Sequence, residues 1–195
     1  MKSKAALRAK YLGLRKALTP QEVERLSAQV LAQVAQWLAQ REELLHFHLF
    51  LPIAGQQEVN TMLIKELLEQ EGKVLYTSRV RKGELGLDTV RLPRAATLRL
   101  DSWGIPVPDQ VDIVSATSIQ VVFVPLLAYD TQGNRLGFGK GYYDFFLRSL
   151  SSDVLKVGLS FFDPEEAIPT ESHDVPLDFC ITGTRIWRFG QKKQE

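Results

Sequence analysis

The sequence predicts one three-layer α/β/α domain built on an open, mostly parallel sheet, and three observations carry that prediction. Strand-like and helical stretches alternate along the chain, the order that helix-covered parallel sheets require. Val121-Val122-Phe123-Val124-Pro125-Leu126-Leu127 is apolar at consecutive positions. A parallel strand covered on both faces has this pattern, whereas a strand with one wet face alternates. A glycine-rich loop beyond that strand leads into a further helical stretch, at the carboxyl end of the sheet where such folds collect ligands.

The elements follow in order. Lys4 to Lys16 sets Ala5, Leu7, Leu12 and Leu14 among basic residues, a loose helical period that puts Lys4 and Arg8 one turn apart on one face. Thr19-Pro20-Gln21-Glu22 starts a second helix: Thr19 caps it, Pro20 takes the first helical position and Glu22 completes a capping box. That helix is expected to run to about Gln40. Leu44 to Leu51 reads as a strand, Pro52 to Gln57 as a loop, and Asn60 as the cap of a helix that Gly72 ends. Lys73 to Val80 and Asp88 to Leu92 read as strands, and Leu98 to Asp112 as a connection punctuated by proline. After the central strand come a loop from Asp130 to Gly141, a helix from about Tyr142 to Leu150, and strands at Lys156 to Phe161 and Asp178 to Trp187. No repeat or linker divides the chain, so residues 1–190 read as a single domain and 191–195 as a polar tail.

Composition bounds the function. With 195 residues, 45% hydrophobic and 24% charged, the chain can bury one sizeable core. A net charge of +1 provides no field for steering a polyanion, so neither a nucleic-acid nor a membrane partner is expected. Cys180 is the sole cysteine, which excludes an internal disulfide and paired-thiol metal or redox motifs. The start of the chain has no continuous apolar run, and a cytoplasmic location is the expectation.

The chemistry gathers around Arg135-Leu136-Gly137-Phe138-Gly139-Lys140-Gly141-Tyr142-Tyr143-Asp144. Alternating glycines let the backbone approach a ligand, and amides at a helix start point toward negative charge, so the loop reads as a phosphate cradle. It is not a Walker A loop, which needs glycine where Asn134 stands and Ser or Thr where Gly141 stands. Nor is it a Rossmann fingerprint, because Tyr142 occupies the third glycine position. A plain glycine-rich turn is the bland alternative. Lys4 and Arg8 read either as a solvated helix face or as cations closing over distal phosphates. Asp144 either complements a helix dipole or holds Mg²⁺ beside the phosphates, with Asp174 as a second carboxylate. Trp103, Tyr142 and Tyr143 are core residues or stacking surfaces for a heterocycle. Glu58 either favours a helix start or accepts the amide-like donors of a flat heteroaromatic ligand. A zinc site is not expected, because His46 and His48 lie on a strand and His173 is the one other histidine.

Taken together, these blocks resemble the 5-formyltetrahydrofolate cyclo-ligase family, also called 5,10-methenyltetrahydrofolate synthetases. The resemblance runs through Lys4 and Arg8, Glu58-Val59-Asn60-Thr61, Trp103-Gly104-Ile105-Pro106, Val124 to Asp130, Gly133 to Asp144 and Ile168 to Asp174. It implies an α/β/α fold related to sugar-phosphate isomerase and CoA-transferase domains. It also implies ATP- and Mg²⁺-dependent cyclisation of 5-formyltetrahydrofolate, with or without a polyglutamate tail, by a monomer. By the same resemblance Lys4, Arg8 and Arg135 to Tyr143 hold ATP, while Asp144 and Asp174 hold Mg²⁺. Ile53, Glu58, Trp103 and Phe138 to Tyr142 contact the folate, and Lys140, Arg135 and Tyr142 are catalytic. Two places depart from the common pattern, Val107 and Phe162-Asp163-Pro164. A sugar-phosphate isomerase without ATP, and a non-catalytic folate-binding protein, are the competing readings. Intact Lys4, Arg8, Lys140 and Asp144 speak against the second.

Overall fold

The structure, a computed structural model, describes residues 2–190, so the expected tail at 191–195 lies outside the described residues. Two helices come first, α1 (Lys4–Lys16) and α2 (Pro20–Leu38), then strand β1 (His46–His48) and helix α3 (Thr61–Gln70). Strands β2 (Val74–Val80) and β3 (Leu87–Arg91) follow, with the short pair β4 (Leu98–Leu100) and β5 (Pro106–Pro108). Beyond these lie β6 (Val121–Val124), the pair β7 (Ala128–Tyr129) and β8 (Arg135–Leu136), helix α4 (Tyr142–Arg148), and strands β9 (Leu155–Leu159), β10 (Phe179–Ile181) and β11 (Ile186–Arg188).

Seven strands form one sheet in the order β11-β10-β9-β6-β1-β2-β3. The inner five run parallel, and antiparallel β3 and β11 close the two edges. The consecutive apolar run of β6 therefore sits mid-sheet and feeds both faces. Val121 and Phe123 join α2 and α3 through Val30, Val34, Trp37, Ile64 and Leu68, while Val122 and Val124 join Phe146 and Leu147 of α4. All four β6 side chains are fully buried. The second face is completed by the β7–β8 hairpin, whose outer side is covered by Leu7 and Tyr11 of α1.

Local chemistry starts and stops the elements. Thr19 and Glu22 form the expected capping box, and the Asn60 side chain accepts from the Met62 N–H. β6 ends where Pro125 lacks a donor for the ladder. Four expected spans are shorter or divided. The Leu44 to Leu51 strand pairs formally over three residues, although the Leu49 N–H still reaches the Tyr76 carbonyl. The Asp178 to Trp187 strand is a hairpin, because Thr182 Oγ1 accepts from the Thr184 and Arg185 N–H groups and turns the chain. Leu98 to Asp112 contains the β4–β5 hairpin, turned by Asp101, whose Oδ1 accepts from the Trp103 and Ile105 N–H groups. The Asp130 to Gly141 loop contains β8.

Winding reverses between β1 and β6, since β2 lies on one side of that pair and β9 and β10 on the other. Loops leaving the carboxyl ends of neighbouring strands diverge at such a reversal and open a crevice. Trp37 secures this frame from below: its ring meets Phe123 and Phe179 edge-on, and the Arg41 guanidinium lies 4.5 Å from its centroid. Trp37→Ala is expected to cost about 3–5 kcal/mol in urea unfolding; a loss below about 1 kcal/mol would show that the site can collapse around the missing ring.

Candidate active site

The crevice is a cleft of about 340 Å³. One buried carboxylate organises the chain that enters it. Asp130, at the tip of the β7–β8 hairpin, accepts through Oδ1 from the Gln132 and Asn134 N–H groups and through Oδ2 from Asn134 Nδ2 and the Ile168 N–H, each at 2.9 Å. The hairpin turn is thereby joined to the segment that leads to Asp174.

The glycine loop follows. Its two ends are joined by Arg135, whose Nη2 donates to Asp144 Oδ1 at 2.6 Å. The Arg135 side chain is 3% exposed and Asp144 17%. The same Asp144 oxygen accepts from the Val175 N–H at 3.0 Å. Asp144 lines the cleft, and its Oδ2 has no hydrogen-bond partner among the described residues. Gly139 and Gly141 hold φ of +91° and +72°, left-handed values that strain a residue with a Cβ. Gly141 caps α4 without a side-chain bond, which leaves the first amides of that short helix open to the cleft.

Cations close the loop's outer side. Arg8 Nε donates to the Gly137 carbonyl at 3.1 Å. Its guanidinium lies so flat on Gly139 that a Cβ there would fall 3.0 Å from Arg8 Cζ. Lys4 Nζ donates to Asp174 Oδ2 at 2.7 Å and lies 3.1 Å from Glu171 Oε1. Hydrogen bonds from Lys4 and the Glu171 N–H hold the Asp174 carboxyl below its usual range, outweighing the burial that opposes them. Lys140 makes no ion pair among the described residues, and its ammonium sits 4.6 Å from the Trp103 ring centroid. Trp103, raised on the β4–β5 turn, is 59% exposed and Phe138 42%, so two large rings stand open at the cleft mouth.

The floor is apolar except for a few buried polar groups. Glu58 Oε2 accepts from the Ile53 N–H at 3.0 Å, and Oε1 lies 3.7 Å from Arg15 Nη1. Burial pushes the Glu58 carboxyl up, against the opposing Ile53 N–H and Arg15 charge. His48 Nε2 meets Ser78 Oγ at 2.6 Å, and burial pushes this imidazole down to about 3. His48 is therefore a neutral structural residue, as its strand position implies. Burial also pushes the Tyr143 hydroxyl up, leaving it protonated.

Lys4, Arg8, Ile53, Glu58, Trp103, the whole stretch Arg135 to Asp144, and Asp174 all line this one cleft. Residues 170 apart in sequence meet there. Two participants escape a reading from spacing. Ser78 lines the cleft from β2, and nothing in a Thr-Ser-Arg strand segment singles it out. Arg15 lies behind Glu58; its signal was its place at the end of the stripe Leu7, Tyr11, Arg15, three buried positions at helical spacing. The two departures from the family pattern fall outside the lining. Val107 is buried in β5, and Phe162 packs edge-on against Tyr11.

The model of the 5-formyltetrahydrofolate cyclo-ligase family matches residues 1–183. The chain is 32% identical over 140 residues to the 5-formyltetrahydrofolate cyclo-ligase of Mus musculus, spanning 65% of this chain and 68% of that protein. It is 26% identical over 183 residues to the protein of that name from Escherichia coli K12, spanning 90% and 97%. The solved structure of 5,10-methenyltetrahydrofolate synthetase from Aquifex aeolicus superposes with a TM-score of 0.81 at 30% identity, covering 98% of this chain and 95% of that one. The synthetase structure from Mycoplasma pneumoniae shares the fold, with a TM-score of 0.75 at 22% identity over 93% of this chain and 99% of that one.

The loop geometry makes a paired prediction. Gly139→Ala is expected to cost roughly 1–2 kcal/mol in thermal unfolding, from positive φ and the displaced guanidinium. Gly137→Ala, with nothing nearer than Arg135 Nη1 at 3.9 Å, should stay within about 0.5 kcal/mol of the parent. Equal losses at the two positions would contradict the Arg8 packing.

Proposed function

The chain belongs to the 5-formyltetrahydrofolate cyclo-ligase family, and from that membership we propose how its cleft performs the family's reaction. ATP and 5-formyltetrahydrofolate are converted to 5,10-methenyltetrahydrofolate, ADP and phosphate. The formyl oxygen attacks the γ-phosphorus and ADP leaves. N10 then attacks the activated formyl carbon and loses its proton, and the carbon–oxygen bond to phosphate breaks as the five-membered ring closes. An amide oxygen is a poor leaving group and phosphate a good one, so the protein's task is positioning and charge neutralisation.

The observation that carries the assignment of roles is the junction at one crevice of a cationic glycine loop, two carboxylates and two exposed rings. Lys4, Arg8 and the backbone from Arg135 to Tyr143 take the triphosphate. Lys140, the unpaired ammonium, meets the charge that develops on the transferring phosphoryl group. Arg135 acts from below by fixing Asp144, and Tyr142 borders the reacting centre. Ile53, Glu58, Trp103 and the stretch from Phe138 to Tyr142 receive the folate, the ring of Trp103 against its heterocycle and Glu58 accepting its N–H donors. We take the substrate in mono- or polyglutamyl form and the protein as a cytoplasmic monomer; no described helix is long and apolar enough to cross a membrane.

Mg²⁺ fits this donor set. Among the described residues no cluster of three His, Cys, Asp or Glu side chains forms a cage, but Asp144 and Asp174 each keep one carboxylate oxygen free of hydrogen bonds beside the phosphate loop. Mg²⁺ characteristically takes one or two carboxylates and fills its octahedron with phosphate oxygens and water. When bound it would neutralise phosphate charge.

Protein mixed with ATP, Mg²⁺ and 5-formyltetrahydrofolate is expected to give methenyl absorbance that depends on ATP. Folded protein that forms no such product would sink the assignment. Lys140→Ala should lower kcat by about 100-fold and leave the KM for folate within a few-fold; unchanged turnover would remove Lys140 from phosphoryl transfer.

A further inference from the structure

We infer that Arg15 is a positioning residue for folate capture: from behind the cleft it serves as counter-ion to Glu58 and as backing for Phe138. The inference rests on the folate-binding role proposed for Glu58. Arg15 does not line the cleft, yet its side chain is only 7% exposed and it touches three segments that meet where the sheet winding reverses. Nη2 donates to the Leu126 carbonyl just after β6. The guanidinium carbon lies 5.8 Å from the centroid of the Phe138 ring in the glycine loop. Nη1 points at Glu58 Oε1 from 3.7 Å, is fully buried, and has no hydrogen-bond partner.

A buried donor without an acceptor is costly, so this N–H is held in reserve for a partner that comes closer. Glu58 Oε1 is the oxygen able to do so, because Oε2 is already fixed by the Ile53 N–H. A ligand that moves Oε1 closer to Nη1 than its present 3.7 Å would tighten the pair.

The charges around Glu58 make its counter-ion matter. Among the described residues Arg15 from α1 is the one charged group set against it; Tyr143 from α4 is the other ionisable neighbour and is neutral, and the chain after β1 contributes the uncharged Ile53 N–H. Burial favours the protonated acid, and Arg15 opposes that. Without Arg15 that opposition is gone and the carboxyl holds its proton more firmly. It would then offer a donor where the heterocycle's N–H groups need acceptors. The ring of Phe138 would also lose its cationic backing.

The test compares Arg15→Gln and Arg15→Lys with the parent, using ADP release to obtain kcat and both KM values across a neutral pH range. The Glu58 carboxyl is followed in the ligand-free proteins by ¹³C NMR. Arg15→Gln is expected to raise the folate KM by about tenfold at neutral pH. That penalty should grow as pH falls and shrink as pH rises, with kcat and the ATP KM changed far less. Its Glu58 midpoint should move up by about one pH unit or more, and Arg15→Lys should restore the parent's pH profile. A folate KM penalty that is equal at every pH, or an unmoved Glu58 midpoint, overturns the inference. Glu58→Gln separates it from its premise. If that variant leaves folate KM unchanged, the folate role of Glu58 falls and this inference with it. If it raises folate KM while Arg15→Gln shows no pH-dependent penalty, this inference alone falls. Should Arg15→Gln fail to fold, the parent and Arg15→Lys still decide: with folate bound at neutral pH both must show Glu58 ionised by ¹³C NMR, and a Glu58 that holds its proton in either folate-bound protein overturns the inference.

Discussion

The ion pair between Arg135 and Asp144 is the contact on which the cleft depends. Three glycines in five residues make the intervening loop conformationally free, and a free loop cannot hold a ligand in a reactive pose. Joining its two ends through a guanidinium that is almost wholly enclosed converts that freedom into one shape. Because the same carboxylate oxygen also accepts from the Val175 N–H, the clamp extends to the segment bearing Asp174. Removing either partner of such a pair leaves a charge with its desolvation uncompensated. The clamp is accordingly a point where fold stability and site geometry cannot be separated.

The remaining charges form a related pattern. Lys4 is balanced by Asp174 and Glu171, and Arg8 rests on the backbone of the loop. Each of these two cations is held at the cleft, beside the phosphate site proposed above, by a partner from a different part of the chain. Holding side chains in place beforehand lowers the entropy lost on binding. The cleft is thus charged without being electrostatically frustrated, and the net charge of +1 for the whole chain conceals a locally dense arrangement of both signs.

Much of this was legible in the sequence, for physical reasons that differ by element. The central strand announced itself because burial on both faces leaves no polar position. Thr19-Pro20-Gln21-Glu22 and Asn60 announced two helix starts because orphan amides need side-chain acceptors. The glycine loop was visible because few other functions need that spacing beside cations and an acid. The β4–β5 hairpin was hidden by Pro106 and Pro108, which suppress a strand reading but are tolerated in a short strand pair at the periphery. Arg15 was hidden because α1 carries many basic residues, and only its place one turn beyond Leu7 and Tyr11 on the buried stripe sets this one apart. The Arg135–Asp144 pair spans nine residues, a separation with no periodic signature, and only the folded hairpin brings it together.

The N-terminal helix has a consequence for synthesis. Lys4, Arg8 and Arg15 leave the ribosome well before their partners at Asp174, Gly137 and Leu126, which lie 170, 129 and 111 residues downstream. Domains are made from the N-terminus at a finite rate, so α1 waits through most of translation with its cations unpaired and its Leu7 and Tyr11 uncovered. The lining of the cleft is complete only when Asp174 has been made, after every strand of the sheet except β10 and β11. A stalled chain that lacks Asp174 therefore lacks one wall of the cleft, however much of the helix and sheet it already holds.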